Sequence, residues 1–284
     1  TREMQAKLMT LKGALAAAAL ALGAVAGGLQ AQAAEAVNGN ALLEADVWPA
    51  LQKDVFGTKV AQENASVVTL EAPVRADDAA LVPLTVRIPA SASGRVKKLT
   101  LIVDKNPAPV VAEFAYGPAA GDGERVLSTR VRVDMYSNIR AVVETDDGAL
   151  HMATKFVKAA GGCSAPALKD TDAALADAGR MIVRALGSVE GAPQLRQGQL
   201  MIKHPQYSGL QLNQATGFYI PARFVREIEV KRGADVVFKM TGGISISEDP
   251  NFRFTYAAGG DETLEVTATD TEGKVLTGRG GPKG

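Results

Sequence analysis

Between residues 66 and 157 the chain is a series of short strand-forming runs, with turn signals between them and no helical stretch to separate them. The runs fall at 66–70, 81–88, 96–103, 110–116, 126–133, 139–144 and 149–157. Ser93-Gly94, Asn106-Pro107, Gly121-Asp122-Gly123 and Asp146-Asp147-Gly148 break them. Gly, Asn and Asp tolerate the backbone of tight turns, and Pro has no N–H to give to a ladder. Arg130-Val131-Arg132-Val133 alternates with the two-residue period of a strand that buries one face. Parallel strands need a long crossover, usually a helix, between them, and none fits here. Seven short strands in succession therefore predict a β-sandwich rather than a parallel α/β sheet.

Ahead of them, residues 45–57 predict a short helix with Trp48, Leu51 and Val55 on one face and Gly57 at its stop. After them the pattern breaks at 159–166, AAGGCSAP, where every residue but the proline is small. Leu175, Ala178, Ile182 and Leu186 recur at helical spacing and predict an amphipathic helix over 170–186, followed by a linker-like stretch at 187–198. A second strand series occupies 199–277, with runs at 200–203, 224–231, 236–241, 244–247, 252–256, 262–269 and 275–277. It predicts a smaller second sandwich, and the glycine-rich tail 278–284 should be disordered. The expected organisation is a leader at 1–34, a first sandwich at 35–158, a loop, helix and linker at 159–198, a second sandwich at 199–277, and the tail. The fold class is all-β.

The leader reading rests on Lys7 and Lys12, an apolar stretch at 15–25, and Ala31-Gln32-Ala33 at the place of a cleavage site. The stretch is shorter than the roughly 20 residues that cross a bilayer, and no later stretch is longer. Residues 1–34 thus predict a cleavable export signal and a mature protein without a membrane span.

Composition excludes more than it suggests. Thirty-one basic and 31 acidic side chains leave a net charge of zero, unlike the clustered basic surface of a nucleic-acid binder. One cysteine cannot form an internal disulfide, and with two histidines it leaves little for a metal centre. No cofactor and no metal site are expected. Carboxylates are spread evenly, so none stands out as an acid–base pair. Asp146-Asp147-Gly148 has calcium-ligand chemistry, but between two strands a hairpin turn is the simpler reading. Gly242-Gly243 and Gly259-Gly260-Asp261 lack the strand and helix that flank a phosphate loop. His151 lies in a strand-like run and His204 beside Pro205, both read as structural.

Cys163 stands apart. A lone cysteine is ordinarily a small buried hydrophobe, but Gly161, Gly162, Ser164 and Ala165 offer neither bulk to cover it nor restraint on the chain. The sulfur is therefore expected to be exposed on a mobile segment. At an ordinary pKa near 8.5, about 3% of it would be thiolate at neutral pH. No His, Asn or Asp adjoins it in sequence, although folding could bring His151 or His204 close. Three functions remain open: a covalent carrier on Cys163, a docking module in which Cys163 is incidental, and a cysteine-dependent enzyme.

Several motifs extend the reading. Trp48 with Asp54-Val55-Phe56-Gly57, then Leu81-Val82-Pro83-Leu84-Thr85-Val86, Asn106-Pro107, Ser128-Thr129-Arg130-Val131-Arg132, Asp147-Gly148 and Gly161-Gly162-Cys163 together resemble SoxY. SoxY is the thiol carrier of periplasmic thiosulfate oxidation. His204-Pro205, Ser208-Gly209-Leu210, Ile220-Pro221-Ala222-Arg223-Phe224-Val225 and Pro250-Asn251 before Phe252 resemble its partner SoxZ. The tandem is most similar to fused SoxYZ-like carriers associated with quinoprotein dehydrogenases. The resemblance implies immunoglobulin-like sandwiches, a periplasmic location, and a non-catalytic protein that holds a sulfur-containing group on Cys163. Gly161, Gly162, Ser164 and Ala165 would then form a flexible arm. The implied partners are sulfur-oxidation enzymes or c-type cytochromes, or a quinoprotein dehydrogenase. One departure is plain: the family's Gly-Gly-Cys-Gly-Gly closes its chain, whereas here Ser164 and Ala165 follow the cysteine and the chain runs on to Gly284. An arm held at both ends should reach about 15 Å at most.

Overall fold

A computed structural model describes residues 46–166, 171–260 and 263–281; the expected export signal at 1–34 lies outside them. Helix α1 (Trp48–Phe56) precedes strands β1 (Ala61–Glu63), β2 (Thr69–Glu71), β3 (Val82–Ile88), β4 (Val96–Val103), β5 (Val110–Tyr116), β6 (Arg125–Val131), β7 (Ser137–Thr145) and β8 (Leu150–Val157). After the cysteine segment come helix α2 (Thr171–Asp177) and strands β9 (Met181–Val189), β10 (Ala192–Ile202), β11 (Val225–Arg232), β12 (Asp235–Gly242), β13 (Asn251–Ala257), β14 (Leu264–Asp270) and β15 (Val275–Gly280). The fold is all-β, as expected, and β4 and β5 occupy the residues their patterns predict.

The two halves share both sheets. One sheet has nine strands in the order β1-β8-β7-β4-β5-β12-β11-β14-β15, and the other has six in the order β2-β3-β6-β13-β10-β9. In each, an antiparallel pair joins the first half to the second. Strand β5 runs beside β12 from Tyr116 opposite Phe238 to Ala112 opposite Gly242, and β6 meets β13 at Ser128–Arg253 and Leu127–Phe254. Gly117 is required at this seam, because a Cβ there would lie 2.3 Å from the Val236 carbonyl oxygen. Beneath the seam, Phe114 packs edge-on against Phe238 and Phe252, and Phe238 against Phe254, with ring centres 5.1–6.0 Å apart. One buried apolar core runs from Val68 in the first half to Leu276 in the second.

A second, smaller cluster lies on the far face of the large sheet. Trp48, Leu51, Val55 and Phe56 of α1 cover Ile102, Val142, Leu150 and Met152, which bears out the single apolar face read from the sequence. The Arg140 guanidinium stacks 4.1 Å from the Trp48 ring and pairs with buried Asp104 at 2.8 Å.

Four expectations are corrected. The helix expected over 170–186 is only the short α2, and Gly179, at φ +108°, closes the turn after it. Residues 181–189 are β9, in which Val183 and Ala185 face inward while Ile182 and Leu186, expected on an apolar helix face, are exposed. The spacing fits a helix, but the ladder to β10 decides the conformation, because strand preference depends on what lies alongside. The expected linker at 187–198 is the end of β9, the turn and the first part of β10 in that hairpin. The run at 244–247 is a turn with one bridge, Ile246 to Val131, rather than a strand. Residues 278–280 are paired with β14 rather than disordered, and a Cβ on Gly280 would lie 2.0 Å from the Val183 carbonyl oxygen; 282–284 lie outside the described residues. The parallel pairing of β1 with β8 had no signal in its three residues.

Because the core is shared, truncating its centre should loosen both halves together. Phe114→Ala is expected to cost roughly 3–5 kcal/mol and to keep a single calorimetric transition. Two resolved transitions would show that the halves fold independently.

Candidate functional site

Past the end of β8 the chain is held to the first half by its own backbone. Lys158 N–H donates to the Val74 carbonyl (2.9 Å), Gly161 N–H to Asp134 (2.8 Å) and Gly162 N–H to Val133 (3.0 Å). Gly161 sits at φ +80°, in the region glycine favours. Gly162 is needed for a different reason: a Cβ there would lie 2.1 Å from the Ala79 carbonyl oxygen and 2.7 Å from that of Val133. The cysteine's own N–H donates to the Asp134 carboxylate, at 3.2 Å from Oδ1.

The second half closes over this turn. Ser208 Oγ donates to the Cys163 carbonyl (2.5 Å), and Gln211 Nε2 to the Ala165 carbonyl (3.0 Å). Arg132, at the end of β6 and only 2% exposed, donates from Nη1 to the Gly162 carbonyl (3.1 Å) and from Nη2 to the Gln206 carbonyl (3.3 Å). The segment 204–211 thus overlies the cysteine turn, with Gln206 in a left-handed conformation at φ +48°. Asn106 fastens the floor: its Nδ2 donates to the Arg132 carbonyl and to Ser245 Oγ, and its Oδ1 accepts from Asp134 N–H.

Cys163 is consequently 0% exposed and unbridged. The expectation of an exposed, mobile thiol is corrected, and the cause is the same small residues that suggested it. Without Cβ atoms the backbone lies close against Ala79 and Val133, and the cover comes from residues more than 40 positions away. Of the expected arm, Gly162 is buried, Ala165 is half-buried, and Gly161 and Ser164 are exposed. Burial, with a further push from Asp134 that Arg132 partly offsets, raises the thiol pKa to about 12. In place of a few per cent thiolate at neutral pH, the closed turn holds about one part in 10⁵.

Neither histidine hydrogen-bonds this thiol among the described residues. His151 lies near the start of β8, with Nδ1 3.2 Å from Asn64 Nδ2. His204 is buried, accepts the Gln206 N–H on Nδ1 (3.1 Å) and holds Nε2 3.7 Å from Asp270. Burial lowers its pKa to about 4, against the pull of Asp270. His204 therefore supports the Gln206 turn and is not a base for Cys163. Asp146-Asp147-Gly148 forms the β7–β8 turn, where Asp147 Oδ1 accepts from Thr145 Oγ1 and Ala149 N–H. Arg132, Asp134, Ser208 and Gln211 carry no local signal of a role at the thiol, since each reaches it only through the fold.

Comparison with known proteins accounts for both halves. Residues 52–163 match the family model of Sulfur oxidation protein SoxY, and residues 190–279 that of Sulphur oxidation protein SoxZ. No curated protein matches the chain. Among solved structures it is similar to the sulfur carrier protein SoxY from Chlorobium limicola f thiosulfatophilum, at 26% identity over 42% of this chain and 96% of that one, with a TM-score of 0.32.

Two measurements test the closed site. Gly162→Ala should lift the turn and speed labelling of Cys163 by an uncharged maleimide at least tenfold at neutral pH. An unchanged rate would mean that the Ala79 contact does not hold the thiol in. Between the unfolded thiol pKa near 8.5 and the folded value of about 12, the folded chain binds the extra proton. Stability should therefore fall as pH rises through that window, more steeply in the wild type than in Cys163→Ser. Parallel melting curves for the two would contradict the buried thiol.

Proposed function

The chain is a fused SoxYZ-like protein, a SoxY domain followed by a SoxZ domain, and from that premise we propose that it is an exported, periplasmic carrier that holds a sulfur-containing group covalently on Cys163. The observation that carries the reading is the thiol's position. It ends the SoxY match, in a turn pinned below by the SoxY domain and covered from above by Ser208 and Gln211 of the SoxZ domain.

A carrier needs a thiol that is inert at rest and reactive when presented, and the closed turn meets the first requirement through its raised pKa. Breaking the Ser208 and Gln211 contacts would return the thiol to water and to an ordinary pKa. With thiosulfate as cargo, loading is a two-electron oxidation: Cys163–SH and S₂O₃²⁻ give Cys163–S–S–SO₃⁻, one proton and two electrons. A partner must take those electrons, since the thiol and thiosulfate are both the reduced reactants of this step and neither can accept them. Sulfur-oxidation enzymes and c-type cytochromes fit that role, as does a quinoprotein dehydrogenase, and the protein itself then acts as a non-catalytic subunit.

The docking reading keeps one supporting observation. The loop that supplies Ser208 and Gln211 also exposes Phe218 (76%) and Tyr219 (69%), a place where a partner would sit beside the cover. Intact mass separates the readings. Protein isolated from cells that make it and are supplied with a reduced sulfur compound should carry an added mass on Cys163 that a reductant removes. Absence of any such adduct, with Cys163→Ser fully functional in those cells, would leave docking as the role.

A further inference from the structure

We propose that Arg132 is the anion-pairing residue of the cargo site: the group carried on Cys163 bears a negative oxo-sulfur charge that the Arg132 guanidinium meets when the turn is closed. The proposal rests on Cys163 being the attachment residue and adds how the charge of the cargo is held.

Three buried arginines make the contrast. Arg140 pairs with the Asp104 carboxylate through Nε and Nη2, and its ring partner is Trp48. Arg125 donates from Nε and Nη2 to the Gly121 carbonyl and from Nη1 to that of Val96, and lies 4.7 Å from the Tyr116 ring. Arg132 is the most buried of the three; like Arg125 it forms no ion pair among the described residues and donates to two carbonyls, but unlike both others it has no ring stacked on its guanidinium there. Its Nε–H has no acceptor.

A guanidinium stays charged at any physiological pH, and an uncompensated buried cation is costly. Burial depresses the Arg132 pKa, and the Cys163 sulfur, then Glu248 and Asp78, offset that only in part. Fold stability alone would favour an apolar residue here. The charge has a use if an anion arrives, and the attachment atom belongs to the residue after the carbonyl that Arg132 already holds. A sulfonate-ended adduct supplies acceptor oxygens suited to the planar donor fork. Asp134 opposes an anion at the same thiol, but its carboxylate is half-exposed and more screened by water than the buried guanidinium.

Two thiol reagents make matched adducts without an added oxidant. The Cys163 thiolate attacks an inner sulfur of tetrathionate, one S–S bond breaks, thiosulfate leaves, and the anionic Cys163–S–S–SO₃⁻ remains. With methyl methanethiosulfonate the thiolate takes the methylthio sulfur, methanesulfinate leaves, and the neutral Cys163–S–S–CH₃ remains. Both are loaded at alkaline pH, and their removal by dithiothreitol is followed by intact mass in the wild type, Arg132→Gln and Arg132→Lys.

Arg132→Gln should shorten the half-life of the anionic adduct about tenfold or more and that of the methyl adduct less than about twofold, with Arg132→Lys in between for the anion. In the wild type alone, the anionic adduct should melt higher than the methyl adduct, which keeps the test open if Arg132→Gln does not fold. Equal shortening of both adducts, or a lower melting temperature for the anionic one, would reduce Arg132 to a clamp on two carbonyls. Failure of tetrathionate alone to load would also overturn the anion-pairing role while leaving Cys163 a carrier residue. Failure of both reagents would remove the carrier reading as well.

Discussion

The antiparallel pairing of β5 with β12, repeated in the second sheet by β6 with β13, is the constraint on which the other features depend. It turns two sandwiches into one pair of continuous sheets and fixes the second half in register with the first. The phenylalanine cluster under the seam then excludes water from the ladder that made it. Since Arg132 lies one residue past β6, the register also sets where segment 204–211 falls, directly above the Gly-Gly-Cys turn. A shift of one residue would reverse the faces of the joining strands and take Ser208 and Gln211 away from the turn.

At that turn, burial and hydrogen bonding work on different atoms. The N–H and carbonyl groups of Gly161, Gly162 and Cys163 are all hydrogen-bonded, by partners from both halves and by Ser164, so closing the turn leaves no main-chain penalty at those three residues. The sulfur has no comparable partner among the described residues and answers to desolvation, which holds it as a thiol. The cover is held by a few hydrogen bonds, each worth about 1 kcal/mol. Because the chain continues beyond the cysteine, the turn is tethered on both sides.

How much of this was legible depended on whether the signal was local. The strands 96–103 and 110–116 are legible because both their faces and their turns are written in consecutive residues. Residues 181–189 carry a misleading signal, because Leu175, Ala178, Ile182 and Leu186 satisfy a helical period by coincidence and only the β10 ladder overrides it. Gly280 and its neighbours look like a loose tail until β14 and the Val183 carbonyl are placed beside them. For the site, Gly161, Gly162 and Cys163 stood out in the sequence, whereas Arg132 read as one polar step in an alternating strand.

By itself the sequence determined the all-β class, the order of two strand-rich halves, and a single thiol set among small residues, because period, turn chemistry and composition are properties of neighbours in the chain. Only the tertiary structure decided that the halves share their sheets, that the thiol is covered rather than displayed, and that a buried arginine holds the carbonyl before it. Those facts depend on ladders and contacts between residues 30 to 140 positions apart, a distance over which no local pattern carries information. The small residues around Cys163 permitted either an open arm or a close fit, and the register of the shared sheets selected the fit.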